Sequence, residues 1–187
     1  MIAAAGKSSR MGAFKPLLKI GSVSAAQRVV LNFRASGIET IVIVTGNNAE
    51  QLENHMKHLG VIFLRNELYE TTAMFDSVKI GLDYLKDICD RILFTPADIP
   101  LFLPSTVKKL LKCEANVGIP VFRGNSGHPV IFDRMAVDMI LRYTGDDGLR
   151  GAVKNLSFTV ERIETDDMGM LYDMDTQADY AAITKLL

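Results

Sequence analysis

Thr40-Ile41-Val42-Ile43-Val44-Thr45 places six β-branched residues in a row. Such a run has no polar side to turn toward water. As a strand it must be buried on both faces, the condition of a strand inside a parallel sheet covered by helices. Arg91-Ile92-Leu93-Phe94-Thr95 repeats the pattern. The segments between and around these runs have helical spacing instead. Ser24 is expected to cap a helix through about residue 36, with Ala26, Val29, Val30 and Phe33 on one side and Gly37 as the stop. Asn48 is expected to cap the next, which carries Leu52, Met56 and Leu59 and ends at Gly60. Residues 61–64 read as a strand, 65–72 as a polar loop and 73–86 as a helix with Gly81 tolerated inside it. Ser105 is expected to cap a helix through residue 112.

This alternation over the first 112 residues predicts βαβ units with right-handed crossovers. The fold class is therefore α/β, a Rossmann-like three-layer αβα arrangement around a mixed, mostly parallel sheet. Residues 1–5 are expected to form the end of a first strand, cut short by the start of the chain. Past residue 112, strands are expected at 117–122, 129–132 and 157–163, helices at 135–141, 149–153 and 178–186, and a short alternating strand at 171–176. No repeat or linker interrupts the 187 residues, so 1–187 reads as a single domain.

The chemistry concentrates in a few places. Ala3, Ala4 and Ala5 lead into Gly6-Lys7-Ser8-Ser9-Arg10-Met11-Gly12, with Lys15 and Pro16 just beyond. Small residues let the backbone approach a ligand, successive N–H groups form an anion-binding concavity, and Lys7, Arg10 and Lys15 add full charge. The ligand this predicts is a polyphosphate. The loop is not a P-loop, because Met1 stands where that motif needs its first Gly. Nor is it a dinucleotide fingerprint, since Gly6 and Gly12 lack the required spacing.

Ligands of open α/β sheets bind beyond the carboxyl ends of the strands. Asp98 follows the strand ending at Thr95 and is held between Pro96 and Pro100, so it shares that edge with the opening loop. A carboxylate beside a polyphosphate loop implies a divalent ion between them, and Mg²⁺ favours one or two carboxylates plus phosphate oxygens. A second acidic group, Asp166, Asp167, Asp173 and Asp175, lies near the end of the chain. A strand at 171–176 would put Asp173 and Asp175 on one face, where they could complete the metal shell with Asp98. Asp175 or Thr176 could equally cap the last helix. His128, in Gly127-His128-Pro129, reads either as a contact to the acceptor or a phosphate, or as a partner for backbone groups. His55 and His58 read as solvated surface.

Composition excludes several classes. A net charge of −1 without a basic stripe argues against a nucleic-acid partner. Cys89 and Cys113 lack CxxC spacing, so neither a disulfide framework nor a zinc site is expected. No apolar run reaches the length of a membrane span and no signal-peptide pattern is present. The expectation is a cytoplasmic protein with no membrane partner.

The opening loop, with Lys15-Pro16-Leu17-Leu18, resembles the signature of nucleotidyltransferases with the nucleotide-diphospho-sugar transferase fold. Thr95-Pro96-Ala97-Asp98-Ile99-Pro100-Leu101 resembles that family's metal-aspartate segment. Gly127-His128-Pro129-Val130, Gly145-Asp146-Asp147-Gly148 and Asp173-Met174-Asp175-Thr176 are similar to the molybdenum cofactor cytidylyltransferase branch of the molybdopterin nucleotidyltransferases. The resemblance implies transfer of a nucleotidyl group from an NTP, CTP first among them, to a phosphorylated acceptor, with Mg²⁺ as cofactor and pyrophosphate as the second product. It implies triphosphate contacts from Ala4, Ala5, Gly6, Lys7, Ser8, Arg10 and Lys15, and catalytic roles for Lys15, Arg10 and Asp98. It also implies metal contacts from Asp98 and from Asp173 or Asp175, and a place for Ser77 near base and ribose. Phe75 departs from the family's glycine-bearing loop before that serine. A molybdoenzyme or its chaperone is an implied partner. Rival readings are a GTP-using molybdopterin enzyme, a CTP- or UTP-dependent enzyme acting on sugar or alcohol phosphates, and a nucleotide-binding regulatory module without turnover.

Overall fold

The structure, a computed structural model, describes residues 1–7, 11–155 and 157–186. In chain order the strands and helices are β1 (Ile2–Ala4), β2 (Lys19–Ile20), β3 (Val23–Ser24), α1 (Ala25–Ala35), β4 (Val42–Thr45), α2 (Ala49–Met56), β5 (Ile62–Arg65) and α3 (Met74–Leu85). There follow β6 (Arg91–Pro96), α4 (Pro104–Leu110), β7 (Val117–Phe122), β8 (Asn125–Ser126), β9 (Val130–Asp133), α5 (Arg134–Arg142), α6 (Gly148–Asn155), β10 (Val160–Glu164) and α7 (Gln177–Thr184).

The main sheet runs β5-β4-β1-β6-β9-β7-β10, with β8 paired to β7. β1 is parallel to both β4 and β6, with Ile2 opposite Ile43 and Thr95. β9 runs against β6 and β7, which makes the sheet mixed. Side chains leave a strand alternately to its two faces. Ile2, Ala4 and Ile43 accordingly join α1, α2 and α4 in one apolar layer, while Ala3, Val42 and Val44 join α3, α5 and α6 in the other. The β-branched run is thus buried on both sides, as its composition predicts. The three-residue β1 lies inside the sheet, between β4 and β6. No helix of the described residues is long and apolar enough to cross a membrane.

Local signals were followed where no distant group competed. Ser24 caps α1 in a full capping box, its side chain accepting from the Gln27 N–H and Gln27 Oε1 accepting from the Ser24 N–H. Elsewhere the structure corrects the sequence. Asn48 stands at the start of α2 in a left-handed conformation (φ 51°) and makes no side-chain cap. The helix assigned to a Ser105 cap starts two residues earlier, with Leu103 at the N-cap position and Pro104 in its first turn, where a missing N–H costs nothing. Asp167 does the capping from outside: its Oδ2 accepts from the Leu103 N–H (2.7 Å) and the Thr106 hydroxyl (2.6 Å). Asp167 is therefore a buried structural carboxylate, not a member of the acidic site. Residues 171–176 form no strand; a 3-10 turn, Met168–Leu171, leads into an extended stretch ending at the Thr176 cap of α7. The β2–β3 hairpin and β8 are too short for a two-residue period to reveal.

Candidate active site

Lys15 opens a 3-10 turn, Lys15–Leu17, and is buried there. Pro16 fixes φ immediately after it. Asp98 emerges just past β6, the parallel neighbour of β1, so both groups arrive at the same sheet edge. The Lys15 ammonium donates to Asp98 Oδ2 at 3.0 Å and to Asp175 Oδ1 at 2.6 Å. Burial lowers the Lys15 pKa, but the hydrogen bonds and charges of Asp175 and Asp98 outweigh it and hold the group above its ordinary value.

The C-terminal carboxylates reach Asp98 by a seam of backbone contacts. The Met174 N–H donates to the Asp98 carbonyl (3.1 Å), and the His128 N–H donates to the Met170 carbonyl (3.1 Å). Two glycines permit this approach. A Cβ on Gly127 would lie 2.6 Å from the Met170 carbonyl oxygen, and one on Gly169 would lie 2.1 Å from that of Leu101. The alternation expected at 171–176 thus survives without a strand: Met174 is buried, and Asp173 and Asp175 flank it beside Asp98. One oxygen from each of Asp98, Asp173 and Asp175 lies within 4.8 Å of the others. Partial desolvation, then the charges of Asp98 and Asp175, push the Asp173 carboxyl up to about 6, against the opposing charge of Lys15. Asp173 is the exposed member of the trio, so the neighbouring charges are the firmer cause. Hard oxygen donors converging under like-charge strain are the donor set a divalent cation relieves. Thr176, not Asp175, caps α7, its hydroxyl accepting from the Asp179 N–H, and this leaves the Asp175 carboxylate to the site.

Of the loop residues, Ala4 and Ala5 are buried, and a Cβ on Gly6 would meet nothing within 4 Å among the described residues. The Lys7 ammonium lies on the Glu70 carbonyl at 3.1 Å. Ser8 and Arg10 lie outside the described residues. Ser77 is 2 % exposed, and its hydroxyl accepts from Asn66 Nδ2 at 2.9 Å. The same amide donates to Thr72 Oγ1 (2.9 Å), so buried Asn66 organises the approach to α3. Sequence reasoning placed Asn66 in an ordinary polar loop and gave it no role. It also passed over Gln177, which ties α7 to the opening loop through the Met11 carbonyl (2.9 Å).

A cleft of about 1080 Å³ is lined by none of Lys15, Asp98, Asp173 and Asp175, but it reaches toward them through Pro96, two residues before Asp98, and His128, which feels the Asp98 charge. Phe75, Phe94, Ile119, Val130 and Leu149 supply its apolar lining, and exposed Arg150, Lys154 and Arg162 also border it. His128 lines it too, edge-on to Phe94 with centroids 5.5 Å apart. Burial depresses the His128 pKa, opposed by a bond to the Phe94 backbone and the Asp98 charge, and its Nδ1 has no partner among the described residues. His55 and His58 are exposed, and His55 Nε2 lies 3.1 Å from Ser24 Oγ.

Comparison with known proteins matches residues 1–161 to the family described as MobA-like NTP transferase domain. Over 114 residues the chain is 28% identical to the bifunctional protein GlmU of Staphylococcus haemolyticus; the match covers 60% of this chain but only 25% of GlmU. Among solved structures, Rv0371c of Mycobacterium tuberculosis superposes with a TM-score of 0.84 at 21% identity, covering 98% of this chain and 95% of that one. The same protein complexed with manganese gives 0.80 at 20% identity, covering 100% and 97%. CMP:2-keto-3-deoxy-manno-octonic acid synthetase complexed with CTP gives 0.76 at 14% identity, covering 99% and 95%. Likeness at these identities establishes the fold, that of the nucleotide-diphospho-sugar transferases.

Proposed function

This chain belongs to the MobA-like NTP transferase family, a family of nucleotidyltransferases, and from that premise we propose a Mg²⁺-dependent cytidylyltransferase acting on a phosphorylated acceptor of the molybdenum-cofactor class. The observation that carries this reading is the junction of two unlike surfaces. The Lys15–Asp98–Asp173–Asp175 cluster suits a triphosphate and its cation. The adjoining cleft has an aromatic and aliphatic lining with cations on its border, which suits a flat organic body carrying anionic groups. CTP is favoured by the resemblance of the motifs and by the likeness in fold to a synthetase that binds CTP. The manganese complex of Rv0371c supports a divalent ion in this fold.

In the proposed reaction a phosphate oxygen of the acceptor attacks the α-phosphorus of the NTP. The bond to the bridging oxygen breaks, and its electron pair leaves with pyrophosphate. A phosphate monoester is largely ionised at neutral pH, its second pKa being about 6, so no strong general base is required. This fits a site whose histidine has a depressed pKa and lies against Phe94. Lys15, together with Arg10, would neutralise charge growing on the leaving group. Asp98, Asp173 and Asp175 would hold the ion, which when bound supplies charge neutralisation across phosphate oxygens. The remaining work is positioning and preorganised electrostatics.

Pyrophosphate release from each of the four common NTPs, with molybdopterin and with simple sugar and alcohol phosphates, tests the assignment. CTP with the pterin is expected to lead. Faster turnover with GTP would reassign the base. Turnover confined to sugar phosphates would favour the rival reading of a CTP- or UTP-dependent enzyme acting on sugar phosphates. Nucleotide binding without pyrophosphate from any pair would leave a regulatory module.

A further inference from the structure

We propose that Lys15 stands in for the divalent cation in the metal-free protein. Its ammonium keeps Asp98 and Asp175 converged and gives up that place as a triphosphate draws it away, so ion and triphosphate bind as one cooperative event. This rests on the reading of the site as a metal-assisted triphosphate site.

The geometry points to exchange rather than coexistence. Lys15 Nζ lies 3.0 Å from Asp98 Oδ2 and 2.6 Å from Asp175 Oδ1, on two of the three carboxylates that would hold the ion. An ion held by Asp98 and Asp175 would compete with the ammonium for the same carboxylate charge, and the repulsion between two neighbouring cations favours release of one of them. Lysine is suited to moving, since its charge sits on a flexible four-carbon stem. Its backbone is held by the turn Lys15–Leu17 and by the bond from the Leu18 N–H to the Lys15 carbonyl (3.1 Å). The motion is therefore confined to the side chain. A polyphosphate bound beside the cluster would offer Lys15 a new anionic partner as its carboxylates accept the ion. The ammonium also offsets part of the charge of the converging carboxylates, since one of the fold's own cations pairs with two of them.

Mn²⁺ is the probe, with bound ion measured by electron paramagnetic resonance and water-proton relaxation. It is titrated alone and as its preformed complex with inorganic tripolyphosphate. Wild-type protein is expected to bind the complex at least about tenfold more tightly than the bare ion. Lys15→Met is expected to bind bare Mn²⁺ at least about tenfold more tightly than wild type and to lose the advantage of the complex. Lys19→Met removes the same charge four residues along the chain, from an exposed side chain outside the site. It is expected to change bare-ion affinity by less than about twofold, because an exposed charge in water is well screened. Bare-ion affinity in Lys15→Met equal to or weaker than wild type would overturn the proposal, as would equal gains in both variants. If Lys15→Met fails to fold without metal, Mn²⁺ should restore its melting transition; no recovery overturns the proposal as well. These readouts need no turnover. A chain that releases no pyrophosphate yet shows the Lys15 effect would sink the proposed activity and leave this inference standing.

Discussion

Asp173 is the residue whose environment departs furthest from water-like behaviour for a carboxylate at the site. Partial desolvation and the charges of Asp98 and Asp175 raise its pKa from 3.8 to about 6. The folded state therefore binds this proton more tightly than the unfolded chain does. The associated stability is fully present below pH 4 and is lost as pH climbs toward 6. At pH 7, with chelator present, Asp173→Asn is expected to stabilise the protein by up to about 1 kcal/mol, a figure reduced for the exposure of the group. The gain should vanish at pH 4, and melting curves at the two pH values decide it. A less stable variant at pH 7 would mean that Asp173 is held by attraction, not crowded by repulsion. Asp98 and Lys15 belong to the same scale but answer a different measurement. Asp98→Ala and Lys15→Ala should each cost on the order of 10²–10³ in the rate of pyrophosphate release, the usual loss for one preorganised electrostatic group. Their folded fraction should stay near that of wild type, and equal losses of fold and rate would make either residue structural.

Among the elements, the seam between the 127–129 turn and the Met168–Leu171 turn decides whether the acidic cluster exists. Its close approach depends on Gly127 and Gly169, which sit against carbonyl oxygens that cannot rotate away as a side chain could. Gly127→Ala is expected to destabilise the protein by about 1–3 kcal/mol, the typical cost of overpacking. It should also weaken Mn²⁺ binding, because a shift of residues 170–174 carries Asp173 and Asp175 with it. Denaturant unfolding together with an ion titration separates the two effects; unchanged ion affinity would detach the seam from the site. The capping of α4 by Asp167 shows the same dependence on distant chain. Asp167→Ala leaves the Leu103 N–H and the Thr106 hydroxyl without this partner. That should cost about 1–3 kcal/mol, measured by the same unfolding curves. A neutral outcome would show that water takes over the cap.

For the whole molecule, the architecture brings the opening loop, the end of β6 and the stretch before α7 to one edge of the sheet. A ligand that bridges them should stabilise the fold as a unit. Mn²⁺ at about 100 times its dissociation constant is expected to add about 2.7 kcal/mol of stability, read as a rise in melting temperature. Asp98→Ala should abolish the rise, and a rise that survives in the variant would place the ion elsewhere. Much of this was legible in the residues themselves. The 40–45 run, the amphipathic spacing of α1 and α3 and the capping signal at Ser24 each act over a few neighbours. Burial on two faces and a local cap need no knowledge of the rest of the chain. The loop at Gly6 and Lys15 and the carboxylate at Asp98 were legible for a related reason: in an α/β alternation, strand ends share one edge. The hairpin at β2 and β3, the role of Asn66, the Asp167 cap and the true form of 171–176 were not legible. Each depends on groups far away in the chain, such as the Leu103 N–H for Asp167 and the Asp98 carbonyl for Met174. By itself, then, the sequence determined the layers, the sheet edge and the chemical character of the groups that reach it, because short-range sterics and hydrophobic period govern those. Only the tertiary structure decided that Lys15 would lie between Asp98 and Asp175 and that Asp173 would join them. That arrangement is made by side-chain bonds between groups 83 residues apart, Lys15 and Asp98, and 160 residues apart, Lys15 and Asp175, which no local pattern encodes.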